Sequence, residues 1–437
     1  MTDSARRFMT APNSLDGWLD YIGRQHPSAI ALGLERVNLV RERLELRFDC
    51  PVIEVGGTNG KGSSCAMLES ILRAAGYRTG LYTSPHLLRY NERVRIDGRE
   101  ADDQALCDGF AAVERARGDV PLTYFEFGTL AAAWLFARRA LDAVVLEVGL
   151  GGRLDAVNAF DADCALLTSV ALDHVELLGR TRESIGREKA GILRRGRPAV
   201  VADPQPPQSV IDAADAIGAQ LMLFGRDFRF ERGDGQWSYV GPGGRRAGLA
   251  HPALRGAIQL RNASAALCAL DTLRDRLPLT MQDVRRGLAG VALPARFQVL
   301  PGRPQVVLDV GHNPEAARVL ADNLAASGFA SQTTAVFGML RDKDIAAVVR
   351  EMAPRVTRWH VATLSGPRGS SAIELREILL GAHVTAPISE FASPAQAYRA
   401  ARSLSGENDK IVVFGSFLTV GEVMTEIEAR RERGSHG

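Results

Sequence analysis

A lysine at position 61 stands inside a glycine-rich run, GGTNGKGSS at 56–64. The apolar stretch PVIEV at 51–55 precedes it, and SSCAMLESILRAAG at 63–76 follows with helical spacing. Strand, glycine loop and helix in that order let backbone N–H groups and a helix N-terminus cradle phosphates. The pattern departs from the usual phosphate loop at one place, where Gly62 rather than Ser or Thr follows the lysine. Lysine scarcity sharpens the reading. Of 53 basic residues only four are lysines, at 61, 189, 343 and 410, and the other 49 are arginines. A chain that uses arginine wherever a positive charge suffices keeps lysine where a compact or modifiable amine is needed. Lys61 therefore points to a bound nucleotide.

Other residues gather around that expectation. Glu147, in VVLEVGLGGRLDA, falls near the C-terminal end of an apolar strand, the edge from which ligands of open α/β sheets are reached. A carboxylate there suits Mg²⁺ held against phosphates. Asp173 and His174 follow the apolar run CALLTSV at 164–170, and such a histidine is as readily a structural hydrogen-bonder as a ligand. Tyr124 and Phe125 stand together before a helical stretch. Core packing is the plainer account of that pair, and an aromatic wall for a flat heterocycle the functional one. Lys189, in REKAGI, sits on a charged helical face of the kind this chain otherwise fills with arginine.

The elements that would position these residues follow a regular alternation. TGLYTSP at 79–85, DAVVLEVG at 142–149, CALLTSV at 164–170 and PAVVADP at 198–204 are apolar throughout, as strands buried on both faces are. Helical patterns at 103–118 and 127–140 separate them, which predicts a doubly wound, mostly parallel sheet. The stretch 228–248 carries turn signals and predicts a β-hairpin, with helices from 262 to 277 and from 281 to 288 after it. Gly and Pro at 290–305 predict a boundary, dividing the chain into 1–292 and 297–437. The alternation then restarts in strands at 305–311, 333–339, 358–364 and 410–416, a smaller Rossmann-like α/β domain. A net charge of +2 and the lack of an aromatic-studded basic stretch argue against nucleic acid. Five widely spaced cysteines, no apolar leader and no membrane-length run predict a cytoplasmic protein, and a monomer is expected.

Taken together, GTNGKGSS, SPHL at 84–87, LTYFEFGT at 122–129, LEVGLGGRLDA, TSVALDH, REKAGI, DVGHNP at 309–314 and GMLRDKD at 338–344 resemble the folylpolyglutamate synthase–dihydrofolate synthase family of the ATP-dependent Mur-ligase superfamily. The likeness runs in order from about residue 15 to 430 and is strongest to bifunctional bacterial members, through ALGLERV at 31–37 and LTYFEFGT. It implies that Thr58, Asn59, Gly60, Lys61, Gly62 and Ser63 wrap the ATP phosphates, with Asn262, Arg296, Asp309 and His312 elsewhere in the nucleotide cleft. It implies Ser84, Glu147 and His174 as magnesium ligands, and a carbamylated Lys189 reaching a second Mg²⁺. Ala31, Leu32, Gly33, Thr123, Tyr124, Phe125, Glu126, Arg153, Leu154 and Asp155 would form the pterin-substrate site.

The implied reaction adds L-glutamate to dihydropteroate, and to the γ-carboxylate of tetrahydrofolate and its derivatives, through an acyl phosphate. Lys61, Lys189 and His174 would be its catalytic residues. Two alternatives stay open on the sequence: a monofunctional synthase or other Mur-type amide ligase, and a nucleotide switch that binds ATP or GTP without ligating anything.

Overall fold

The apolar runs become the buried strands of two separate sheets. The computed structural model describes residues 12–28 and 30–435. The larger sheet has eight strands: β1 (Val52–Gly56), β2 (Thr79–Tyr82), β3 (Val94–Ile96), β4 (Arg99–Glu100), β5 (Ala143–Glu147), β6 (Cys164–Leu167), β7 (Pro198–Val201) and β8 (Gln220–Leu223), in the order β4-β3-β2-β5-β1-β6-β7-β8. From β2 to β8 every pairing is parallel, and β3 and β4 add an antiparallel edge. Every residue of β1, β2, β5 and β6 is buried, because helices cover both faces. Ile53 and Val55 of β1 pack with helices Lys61–Ala74, Gln259–Thr272 and Met281–Gly290. Val52, alternating to the other face, packs with helices Asp103–Arg117, Tyr124–Ala137, Arg182–Lys189 and Gln208–Ile217.

The stretch expected as a hairpin is a three-stranded antiparallel sheet, β9 (Arg229–Arg232), β10 (Trp237–Gly241) and β11 (Gly244–Leu249), whose Trp237 and Tyr239 join the core of the first helix group. The second large sheet has the order β12-β13-β17-β14-β15-β16, from strands β12 (Gln298–Leu300), β13 (Gln305–Leu308), β14 (Thr333–Phe337), β15 (Arg358–Ala362), β16 (Ile388–Phe391) and β17 (Lys410–Phe414). Only β12 runs antiparallel. Helices Pro314–Ala326, Ile345–Met352 and Ala372–Gly381 cover one face, and Pro394–Leu404 with Phe417–Ser435 the other.

Strands β3, β4, β8, β12 and β16 were not expected: they are only two to four residues long, β4 is wholly charged, and β3 and β16 mix charged or polar with apolar residues. The helix expected at 127–140 begins at Tyr124, because Thr123 accepts from the Glu126 amide and the Glu126 carboxylate accepts from the Thr123 amide. The helix expected from 262 starts at Gln259 and ends at Thr272. Lys410 serves the fold: its ammonium donates to Ser327 O, Ser327 Oγ and Gly328 O, holding the end of helix Pro314–Ala326.

One residue works against the fold. Glu54 lies in the middle of β1, fully buried, and neither carboxylate oxygen has a hydrogen-bond partner. Burial pushes its pKa well above the ordinary glutamate value of 4.5. The folded protein therefore keeps this proton over a range in which the unfolded chain has released it, so stability falls as pH rises from that ordinary value towards the folded one. Glu54→Met, of similar length and apolar, should raise stability by about 1–3 kcal/mol. The gain in melting temperature should be larger at pH 8 than at pH 5. A gain independent of pH would show that the buried carboxyl is not the source.

Candidate active site

The loop after β1 is shaped by two glycines in the left-handed region, Gly57 at φ 138° and Gly60 at φ 88°. A Cβ on Gly57 would collide with the Thr168 hydroxyl, and one on Gly60 would stand 2.8 Å from Asn262 Oδ1. Thr58 is pinned to the next strand end: its amide donates to Ser169 O at 2.7 Å, and its hydroxyl accepts from the Ala171 amide at 3.0 Å. Gly60 then caps helix Lys61–Ala74, whose free N–H groups face the cleft. Two amines meet in this loop. Lys61 Nζ donates to Gly57 O and Thr58 O at 3.2 and 3.3 Å, and Lys189 Nζ donates to the same Gly57 O at 2.9 Å. Lys189 ends helix Arg182–Lys189 and is buried. Burial first, and then the Lys61 charge, lower its pKa to about 7.

Glu147 closes β5 and is buried. Burial raises its pKa, opposed by the charges of Lys61, Arg296 and Arg93 and by the Ser84 amide, which donates to Oε2 at 3.2 Å. A buried carboxylate on the cavity wall it shares with Ser84 can offer oxygens to a hard divalent cation. Among the described residues no three His, Cys, Asp or Glu form a metal cluster by themselves.

The second sheet supplies the opposite wall. Lys343 Nζ reaches Asp173 Oδ1 at 2.6 Å and lies 3.2 Å from His174 Nε2. Burial alone would raise the Asp173 carboxyl, but Lys343, His174 and His312 outweigh it and hold the group well below the usual carboxylate range. Burial lowers His174 to about 4, with Asp173 pulling the other way, so the imidazole is neutral. His312 is also lowered by burial, and its Nδ1 is 2.9 Å from Val310 O, which places the proton on Nδ1. Asn59 and Asn313 exchange side-chain amide bonds at 3.1 and 2.9 Å, and Asn59 also donates to Glu315 at 2.6 Å. Asp309 accepts from the amides of Phe297 and Gly311, tying the inter-sheet segment to the turn after β13. Arg296, in that segment, has its guanidinium over the Phe417 ring at 5.2 Å.

Two cavities result. The first, of about 230 Å³, is lined by residues 58–63, Ser84, Glu147, His174, Lys189, Asn262, Arg296, Asp309 and His312, so every residue expected to touch nucleotide or metal is in it. The second, of about 670 Å³, is lined by Ala31, Leu32, Thr123, Tyr124, Phe125, Glu126, Leu154 and Asp155. The two meet at Ser84, Gly149, His174, His312 and Phe417. Burial raises the Asp155 carboxyl to about 6 against the amides of Leu150 and Val157. The Glu126 carboxylate is already taken by Arg36 and the Thr123 amide, so its part is to fix the helix start. Arg153 and Gly33 line neither cavity. The Arg153 backbone amide bonds to Glu188 O, which turns its side chain out to pair with the Glu188 carboxylate at 3.0 Å. Gly33 instead donates its amide to Leu154 O. Sequence reasoning passed over Asn313, Glu315 and Arg93. It left Asp173 and Lys343 without a role, although the lysine scarcity already marked the second.

Two family models match the chain, the Mur ligase middle domain over residues 55–270 and the Mur ligase, glutamate ligase domain over residues 295–417. The dihydrofolate synthase/folylpolyglutamate synthase of Escherichia coli (strain K12) is 45% identical over 430 residues, 98% of this chain and 99% of the relative. The chain belongs to the dihydrofolate synthase/folylpolyglutamate synthase family. The Haemophilus influenzae counterpart is 39% identical and covers 96% of this chain and 99% of its own. Among solved structures, Escherichia coli FolC in complex with DHPP and ADP matches with TM-score 0.92 and 46% identity over 96% of this chain and 99% of that one. A bifunctional folylpolyglutamate synthase/dihydrofolate synthase with Mn, AMPPNP and L-glutamate bound matches with TM-score 0.87 at the same identity and coverage. As a family member the protein is an ATP-dependent ligase.

The Asp173–Lys343 pair joins the two halves of this ligase, with side chains only 12% and 6% exposed. Lys343→Met, which strands a buried carboxylate, should cost about 3 kcal/mol or more in denaturant unfolding. Adding Asp173→Asn should recover part of it. A coupling energy under about 0.5 kcal/mol in that double-mutant cycle would show the pair to be incidental.

Proposed function

We infer that this chain joins L-glutamate to dihydropteroate, making dihydrofolate, and to the γ-carboxylate of reduced folates, with ATP as the energy source. The observation that carries the reading is the junction of the two cavities: a phosphate loop on one side, an aromatic-walled chamber on the other, and a shared wall at Ser84, His174 and His312. Related enzymes hold DHPP with ADP in one structure and Mn, AMPPNP and L-glutamate in another, the ligands such a junction would bring together.

In the first step a carboxylate oxygen of the acceptor attacks the γ-phosphorus, the bond to the bridging oxygen breaks, and ADP leaves. Lys61 and the N–H groups of the loop stabilise the charge that moves onto the phosphates. In the second step the glutamate amine attacks the acyl carbon, the bond to the phosphate oxygen breaks, and the nitrogen gives up a proton. Divalent ions, held by Ser84, Glu147 and His174 and by a carbamate on Lys189, would supply further positive charge against the phosphates. Lys343 and the Asn59–Asn313 pair hold the second domain over the junction, which keeps water from the acyl phosphate. We place the domain division between residues 292 and 297, and the protein in the cytoplasm as a monomer. Five free cysteines suit a reducing compartment, no described helix could cross a membrane, and one chain builds both cavities.

Phosphate release should require L-glutamate and should proceed with dihydropteroate and with tetrahydrofolate, each inhibiting use of the other competitively. Release with tetrahydrofolate alone would reduce the activity to polyglutamylation. Nucleotide binding with no glutamate-dependent release would favour a switch. For Glu147→Gln, removal of the charge should weaken the apparent affinity for Mg²⁺ by at least the roughly 10–100-fold that loss of an outer-shell partner costs. Raising Mg²⁺ should restore part of the rate, and near-normal turnover at ordinary Mg²⁺ would make Glu147 a structural carboxylate.

Carbamylation of Lys189 is supported by its burial and its lowered pKa, about 7. A neutral amine is needed, since its lone pair forms the bond to CO₂ and a proton then leaves. A guanidinium cannot do this at any working pH. Enzyme stripped of CO₂ should regain activity on bicarbonate addition faster at pH 8 than at pH 6, because protonation below about pH 7 removes the free amine. Lys189→Arg should be inactive under both conditions. Full activity of that variant would leave the lysine a simple cation.

A further inference from the structure

Arg93 is buried beside the larger cavity, and among the described residues its guanidinium forms no ion pair with a carboxylate. Its residue exposure is 8%, its backbone is fixed by the Thr83 amide donating to its carbonyl, and it is one of the residues lining the acceptor chamber. Arg117, the other buried arginine among the described residues, meets Glu114, and the half-buried Arg36 and Arg95 meet Glu126 and Glu69. Arg93 instead donates Nε to Nδ1 of His86 at 2.8 Å, and its guanidinium lies over the rings of Tyr90 and Tyr124 at 5.2 and 5.5 Å. A guanidinium only donates, so His86 presents an unprotonated Nδ1. Burial and the Arg93 charge push His86 down to about 4, so the imidazole adds no charge of its own. The guanidinium is thus oriented through Nε by a neutral ring and held flat by two aromatic faces. Among the described residues its side chain bonds only through Nε, which leaves both Nη groups of this chamber-lining residue open to a ligand.

That edge is the half of a guanidinium that grips a carboxylate with two parallel bonds. Its position names the carboxylate. Arg93 lines the chamber with Ser84, whose amide bonds Glu147, and the Arg93 charge is among those that act on Glu147. It therefore stands between the aromatic walls, which fit a flat heterocycle, and the phosphate loop. We propose that Arg93 binds the reacting carboxylate of the acceptor and aims it at the γ-phosphate of ATP, with His86 and the Tyr90 and Tyr124 rings fixing the guanidinium. The assignment rests on the ligase reading above and adds to it the group that holds the nucleophile. Because both acceptors must bring the attacked carboxylate to one place, the same guanidinium serves dihydropteroate and folates alike.

The test is binding of dihydropteroate, and of the same pterin with hydrogen replacing its carboxylate, to wild type, Arg93→Gln and Arg93→Lys. ADP affinity and melting temperature report whether each variant is folded. Arg93→Gln should weaken dihydropteroate by roughly 10–100-fold, the range of a lost charged hydrogen-bond pair. The analogue should change by less than about twofold. Arg93→Lys keeps the charge without the fork and should lie between. In turnover, Arg93→Gln should impair both acceptors while the KM for ATP stays put. Equal weakening of pterin and analogue would make Arg93 a support for the tyrosine wall, and an effect on folate acceptors alone would assign it to a non-reacting carboxylate. Either outcome overturns the proposal while leaving the ligase reading standing. A wild-type protein that bound neither pterin would overturn both.

Discussion

One carbonyl oxygen, that of Gly57, receives two amines, and the chemistry of the cleft depends on that convergence. The oxygen can face both because Gly57 adopts a conformation closed to other residues, with Thr168 packed where a side chain would begin. Lys61 arrives from the helix that the loop opens, and Lys189 from the end of a helix on the far face of the sheet. A helix C-terminus ordinarily favours a cation. Here burial and the neighbouring ammonium win, and Lys189 falls to about 7.

The same logic runs across the cleft. Asp173 gathers Lys343, His174 and His312, and its ionised state is stabilised by a lysine that belongs to the other sheet. Without the second domain this carboxylate would have no full cation beside it. Asn59, in the phosphate loop itself, is bonded to Asn313 at the start of the helix Pro314–Ala326. The loop that would hold phosphate and the domain that closes over it are therefore coupled directly, through uncharged amides that cost little to part and charged groups that cost more.

What the sequence made legible was whatever is buried or chemically rare. Strands β1, β2, β5 and β6 read as largely apolar runs because they are covered on both faces, whereas β16 at an edge mixes polar and apolar residues over only four positions and left no trace. The glycine loop was legible because its geometry restricts the residues that can build it. Arg153 misled because adjacency in sequence to Leu154 and Asp155 is not adjacency in space: one backbone bond to Glu188 turns it away. Lysine scarcity marked four positions. Three of them lie in the cleft, and Lys410 closes a helix end, where several donors on one atom are needed. Rarity finds residues that cannot be exchanged, and structure decides whether the reason is chemistry or packing.

Asp173 and Lys343 are 170 residues apart and neither lies in a periodic pattern that would announce the other. Pairings of this kind are fixed by how two sheets face each other, which no local signal encodes. Arg93 belongs to the same class. Its sequence surroundings, RYNERVRI, hold three arginines and one glutamate, and they give no sign of which arginine is buried. Only the fold shows that Arg95 meets Glu69 while Arg93 meets a histidine and two rings. The distinction is one of partner, and partner decides function. An arginine whose charge is answered by a carboxylate is finished as a ligand-binding group, while one answered only by neutral groups still has its strongest interaction to make.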